Sequence, residues 1–183
     1  MILKAIKYRL YPTKLQAELL DKHIGACRFI YNLALETKQV AWASARVNLS
    51  CFDLNKQLPE LRKEAKWLKE VGAQSLQAEM SSLDRAFTSF FKGSANYPRF
   101  KSKKKGINSF KIPQRIVFEE NLIKIPKFQE GIKAVIHRKF DGKIKSGTVS
   151  RTPTGKYFIS VVFETLDTIQ PKSNITEGNT VGI

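Results

Sequence analysis

The sequence predicts an α+β protein: a small, OB-like antiparallel β-barrel interrupted after its first strand by an all-α helical bundle. Three observations carry this. Residues 2–10 alternate with period two, residues 13–92 carry apolar side chains at spacings of three and four, and period two returns after Gly106.

In the first segment, Ile2, Ile6, Tyr8 and Leu10 share one face, while Lys7 and Arg9 fall on the other; Lys4 is the exception. Pro12 ends this strand. Thr13 opens a helix, and Gln16 stands three residues on as its capping-box partner. Leu15, Leu19 and Leu20 give that helix an apolar stripe, and Gly25 predicts a break or bend. A second helical stretch follows from Ala26 to Arg46, with Phe29, Ile30, Leu33 and Val40 inward. Asn48 to Cys51 is a connection. Asp53 is expected to cap the next helix and Pro59 to restart it. The strongest pattern is 73–92, where Leu76, Met80, Leu83, Phe87, Phe90 and Phe91 recur at helical spacing and Gly93 stands at the C-cap. Trp42 and Trp67 are read as packing residues.

Residues 94–106 are polar. Beyond them, Arg115–Phe118 and Leu122–Ile125 flank a turn at Glu119-Glu120-Asn121, Ile132–Arg138 reads as a strand, and Gly147–Arg151 with Tyr157–Glu164 flanks Pro153-Thr154-Gly155 as a second hairpin. The expected division is therefore 1–12 for the first barrel strand, 13–93 for the bundle and 94–164 for the rest of the barrel. Residues 165–183 are a linker followed by the start of a further strand.

Lys plus Arg number 32 against 16 acidic residues, a net charge of +16. Such a surplus self-repels, so a polyanionic partner is expected. The excess is uneven: residues 1–93 hold 15 basic and 9 acidic residues, 94–163 hold 16 and 4, and 164–183 hold 1 and 3. No run approaches the ~20 apolar residues of a membrane span, and the N-terminus does not read as a signal peptide. The expectation is a cytoplasmic, nucleoid-associated protein without a membrane role. Its oligomeric state is not legible. Cys27 and Cys51 form no CxxC, and His23 and His137 lie far apart, so no zinc set is expected.

The candidate binding residues follow from chemistry. Arg99, Phe100, Lys101, Lys103, Lys104 and Lys105 form a cationic loop suited to neutralising phosphates, with Phe100 either stacking on a base or anchoring the loop. Arg9, Lys124, Arg138, Lys145 and Arg151 add cations to the β part, a surface suited to single strands and irregular RNA. Arg28, Tyr31 and Asn32 form a polar-aromatic cluster, and Gln74 and Gln77 lie one turn apart; such side chains read base edges. No Gly-rich phosphate loop or nucleophile elbow is present, and 94–163 has too few carboxylates for a two-metal nuclease site.

Several segments together resemble the N-terminal half of the TnpB, or OrfB-type, insertion-sequence transposase family. They are Arg9-Leu-Tyr-Pro-Thr-Lys-Leu-Gln16, Gly25-Ala-Cys-Arg-Phe-Ile-Tyr-Asn32, Trp67-Leu-Lys-Glu-Val71, and the helix from Gln77 through Ala86-Phe-Thr-Ser-Phe-Phe91. Tyr97-Pro-Arg-Phe-Lys101, Ile123-Lys-Ile-Pro-Lys127, the hairpin from Gly147 to Ser160 and the closing Thr180-Val-Gly-Ile183 continue the match. The resemblance implies an RNA-guided DNA endonuclease family, whose β-barrel wedge and helical recognition domains hold guide RNA and target DNA. It also implies a helix-turn-helix over 13–46. The family's nuclease domain opens with a Val-Gly-Ile-Asp strand, and this sequence stops at Ile183, before that Asp. Hence no catalytic residue and no cofactor are expected in this chain; the family's divalent metal and zinc belong to the C-terminal part. Alternatives are a nuclease-less DNA-binding regulator and a generic helix-turn-helix DNA-binding protein.

Overall fold

The computed structural model describes residues 2–104 and 108–165. Strand β1 (Ile2–Tyr11) is followed by helices α1 (Lys14–Ala45) and α2 (Cys51–Glu64), a short 3-10 helix (Lys66–Lys69) and α3 (Ala73–Phe91). Six strands come after: β2 (Asn108–Ile112), β3 (Val117–Glu119), β4 (Leu122–Ile125), β5 (Phe128–Val135), β6 (Lys143–Arg151) and β7 (Tyr157–Thr165).

The Thr13 cap forms as expected. Its hydroxyl accepts the Gln16 backbone N–H, and the Gln16 side-chain oxygen Oε1 accepts the Thr13 N–H. The same Gln16 amide donates to the Gly131 carbonyl at 2.9 Å, so one side chain caps α1 and ties it to β5. Gly25 does not break the helix; α1 runs through it without interruption. A lone glycine in a helix costs about 1 kcal/mol, and burial of Leu20, Ile24, Cys27, Ile30, Tyr31, Ala34 and Leu35 along one stripe outweighs that. The unbroken helix also corrects the inward face. Ile30 is buried, but Phe29 and Val40 are exposed, because the phase set by Leu20 and Ile24 carries on rather than restarting at residue 26.

Helix α2 is capped by Ser50, with Asp53 as its capping-box partner rather than the cap. Pro59 lies inside α2 and does not restart it. Helix α3 ends as the pattern predicts: Gly93 takes φ 69° and its N–H donates to the Phe90 carbonyl at 2.9 Å.

The sheet order is β2-β6-β7-β1-β5-β4-β3, with every pairing antiparallel. The first residues of the chain thus form a central strand, paired to β7 and to β5. Strand β5 begins at Phe128, not Ile132, because Lys127 at φ 74° lets Phe128 pair directly back onto Ile125. Strand β2 was not among the expected strands; it follows the loop and pairs with β6.

One sheet face is buried, by Tyr8, Leu10, Phe110, Ile123, Ile132, Val149, Ile159 and Val161. The helices cover it, joining one core with the sheet. His23 of α1 lies with ring centroids 5.0 Å from Phe110 and 5.5 Å from Phe128. Asp21, two residues earlier, accepts from Tyr157 at 2.8 Å and pairs with Arg151 at 2.7 Å. The two tryptophans are not core residues: Trp42 is 52% and Trp67 46% exposed. Trp67 packs edge-on to Phe29, also exposed, and Trp42 carries the Arg46 guanidinium. No helix among the described residues is long and apolar enough to cross a membrane.

Candidate nucleic-acid interface

The polar segment after α3 is pinned at Lys101. Its N–H donates to Asn32 Oδ1 at 2.7 Å, and Asn32 Nδ2 donates back to the Lys101 carbonyl at 3.0 Å. The Lys101 ammonium stands 4.2 Å from the Tyr31 ring centroid and pairs at 2.5 Å with Glu79 of α3. Glu79 is buried, with its side chain 5% exposed. Burial, then the Glu79 charge, pushes the Tyr31 phenol up from its ordinary range. Arg28, one turn earlier, donates to Asn108 at the start of β2. Four expected site residues therefore converge, yet their visible work is to fasten the loop to α1 and α3. The loop's outer side chains are left to solvent: Arg99, Phe100, Lys103 and Lys104 are all exposed, Phe100 by 55%. Lys105 lies outside the described residues.

Gln74 and Gln77 stand on α3 in a groove of about 600 Å³. Its opposite wall is β2 and the turn after it, with Lys111, Pro113 and Gln114, and Arg85 lies about two turns beyond Gln77 along α3. Ala78 and Ser81 also line it. Gln77 is exposed and Gln74 half-buried, so their amides can meet a ligand lying along the groove. Lys111 and Gln114 escaped the sequence reading. Recognising the alternation of Phe110 and Ile112 would have found them.

The expected cations of the β part divide. Lys124 pairs with Glu119 at 2.7 Å, Lys145 with Glu164 at 3.3 Å, and Arg151 with Asp21 at 2.7 Å. Arg151 faces the helices and Tyr157, whose phenol burial, and then Asp21, push up to about 12. Arg138 is exposed, and its carbonyl accepts the Tyr8 hydroxyl at 2.8 Å. Arg9 is half-buried on the sheet face away from the helices, over the rings of Tyr11 and Phe158. No cluster of three or more His, Cys, Asp or Glu able to hold a metal occurs among the described residues.

A family described as a helix-turn-helix domain of the OrfB insertion-sequence type matches residues 1–46. Those residues here are β1 and unbroken α1. A Streptomyces pristinaespiralis protein named "Putative RNA-guided DNA endonuclease" is 31% identical over 98% of this chain and 46% of its own length. The Escherichia coli protein of the same description, InsQ, is 32% identical over 88% of this chain and 40% of its own. The Salmonella dublin virulence protein VsdF is 36% identical over 56% of this chain and 95% of its own length. The chain belongs to the TnpB/OrfB family. It spans less than half the length of the two endonuclease-named relatives.

Proposed function

We propose that this chain is the nucleic-acid-holding part of a TnpB-type RNA-guided DNA endonuclease: its β part and the loop around 99–104 hold guide RNA, and the α3–β2 groove meets target DNA. The observation that carries this is the groove itself. Two glutamines one helical turn apart face it beside Lys111 and Arg85, a combination suited to base edges and adjoining phosphates. Base pairing by the guide would read the target, while the groove reads a short adjacent duplex. The described residues bind and position; cleavage is assigned to none of them. This reading rests on the endonuclease names of the relatives together with the groove's own chemistry.

The test is selection from a randomised duplex DNA library by the chain purified with its bound RNA. The wild type is expected to enrich a short motif. Gln77→Ala should weaken that motif by about 1–3 kcal/mol, roughly 5- to 150-fold, with nonspecific binding retained. Enrichment of the same motif by Gln77→Ala would remove the groove from target reading.

A further inference from the structure

The sheet face turned away from the helices carries a second surface, which meets the groove at Lys111. Cross-strand register assembles it. Lys111 of β2 stands opposite Thr148 of β6, Thr148 opposite Ser160 of β7, and Ser160 opposite Lys7 of β1. The next row runs Ser109, Ser150, Phe158, Arg9 and Val135, and Tyr11 pairs with Lys133 in the row beyond. Lys111 and Lys7 are three strand spacings apart, roughly 14 Å. Lys7, Tyr11, Lys133 and Val135 are exposed, Tyr11 by 51%.

Two of the cations on this face lie over aromatic rings. Lys7 lies 4.6 Å and Arg9 5.0 Å from the Phe158 centroid, and Arg9 lies 5.2 Å from that of Tyr11. Lys7, Arg9, Lys111 and Lys133 have no carboxylate at ion-pair distance among the described residues. An aromatic ring orients a cation without cancelling its charge; a carboxylate cancels it. Arg9 Nε is buried and has no hydrogen-bond partner among the described residues. Interleaved with these groups are the hydroxyls of Ser109, Thr148, Ser150 and Ser160, all half-buried.

We propose that this outer sheet face is a binding track for single-stranded RNA, with Lys7, Arg9, Lys111 and Lys133 on phosphates, Phe158 and Tyr11 as base-stacking platforms, and the hydroxyl row on ribose 2′-hydroxyls. Oriented cations beside half-exposed rings suit an unpaired strand, whose bases are available to stack; hydroxyl partners favour ribose over deoxyribose. Lys111 also lines the α3–β2 groove, so the track begins where the groove ends. The inference deepens the proposed RNA-holding role by naming the face and the strand type.

The experiment uses the full chain with a 20-nucleotide poly(U) RNA, its DNA counterpart and a 20-base-pair duplex DNA, over a salt series. The combined variant Lys7→Gln, Arg9→Gln, Lys111→Gln and Lys133→Gln should lose about tenfold or more in poly(U) affinity, with the log–log salt slope reduced by roughly 2 to 3. Acetylation footprinting of the wild type, which needs no variant to fold, should show Lys7, Lys111 and Lys133 protected by poly(U) and Lys63 unprotected. RNA binding with unchanged slope in the variant and no protection would overturn the track while leaving the α3–β2 groove and its RNA-guided role standing. Equal loss for duplex DNA and poly(U) would overturn the single-strand assignment. Absence of RNA binding by the wild type would overturn both readings.

Discussion

At the residue scale, a cation's neighbour decides what the cation can do. Lys101 sits in the most basic stretch of the sequence, yet its ammonium is committed to buried Glu79 and to the Tyr31 ring. Lys101→Ala is therefore expected to lower stability by about 2 kcal/mol, below the value for a fully buried pair because Lys101 is partly in solvent. Urea titration checks this. Adding Glu79→Gln should restore more than half of the loss, since the stranded carboxylate is the source of the cost. The salt slope for RNA should stay as in the wild type; a slope reduced by about 0.7 would make Lys101 a phosphate contact instead. Asn32 follows the same logic. Its amide suits a base edge by chemistry alone, but both of its ends are engaged by the Lys101 backbone.

At the element scale, α1 organises the rest. One helix of 32 residues supplies the capping box, the Asp21 link to β6 and β7, the His23 stack and the Asn32 clamp. Its one weak position is Gly25, where an added Cβ would meet nothing within 4 Å. Gly25→Ala should stabilise the protein by about 0.5–1 kcal/mol without changing nucleic-acid affinity, read as a higher urea midpoint at unchanged m-value. A loss of stability would mean that the helix needs to bend there. The sequence pattern could not settle this, because glycine signals a break only when neither side is packed. Helix starts and ends were more legible: Thr13 with Gln16, and Gly93, act locally and need no distant partner.

At the scale of the whole molecule, helices and sheet share one core, and His23 stands at the joint. Its Nδ1–H donates to the Leu19 carbonyl, its Nε2 accepts the Gly72 N–H that precedes α3, and its ring lies against Phe110 and Phe128. Burial holds its pKa below the ordinary histidine value, opposed in part by the Leu19 bond. The folded protein thus needs the neutral ring, while the unfolded chain takes up a proton first as pH falls. Stability should be full above about pH 6.5 and decline below it, by at most about 1.4 kcal/mol per pH unit from this group. Urea unfolding at pH 7.5 and 5.5 tests the point. The transition should be single at both, with tryptophan fluorescence, which reports the helical part, coinciding with circular dichroism. Separate transitions would show that helices and sheet fold independently.

Short-range chemistry and periodicity make legible in the chain alone the α+β class, the placing of the helices after the first strand in chain order, the caps at Thr13 and Gly93, the second hairpin and the concentration of charge in residues 94–163. Which strands neighbour each other, and which charges are already matched, depend on the folded chain. The chain's first strand lies between β7 and β5, so Arg9 meets Phe158 across 149 positions of sequence. Asp21 meets Arg151, and Glu79 meets Lys101. A count of lysines cannot separate a cation neutralised by a distant carboxylate from one held by a ring and still able to take a phosphate, because that difference is set by through-space distance, which only the folded chain fixes.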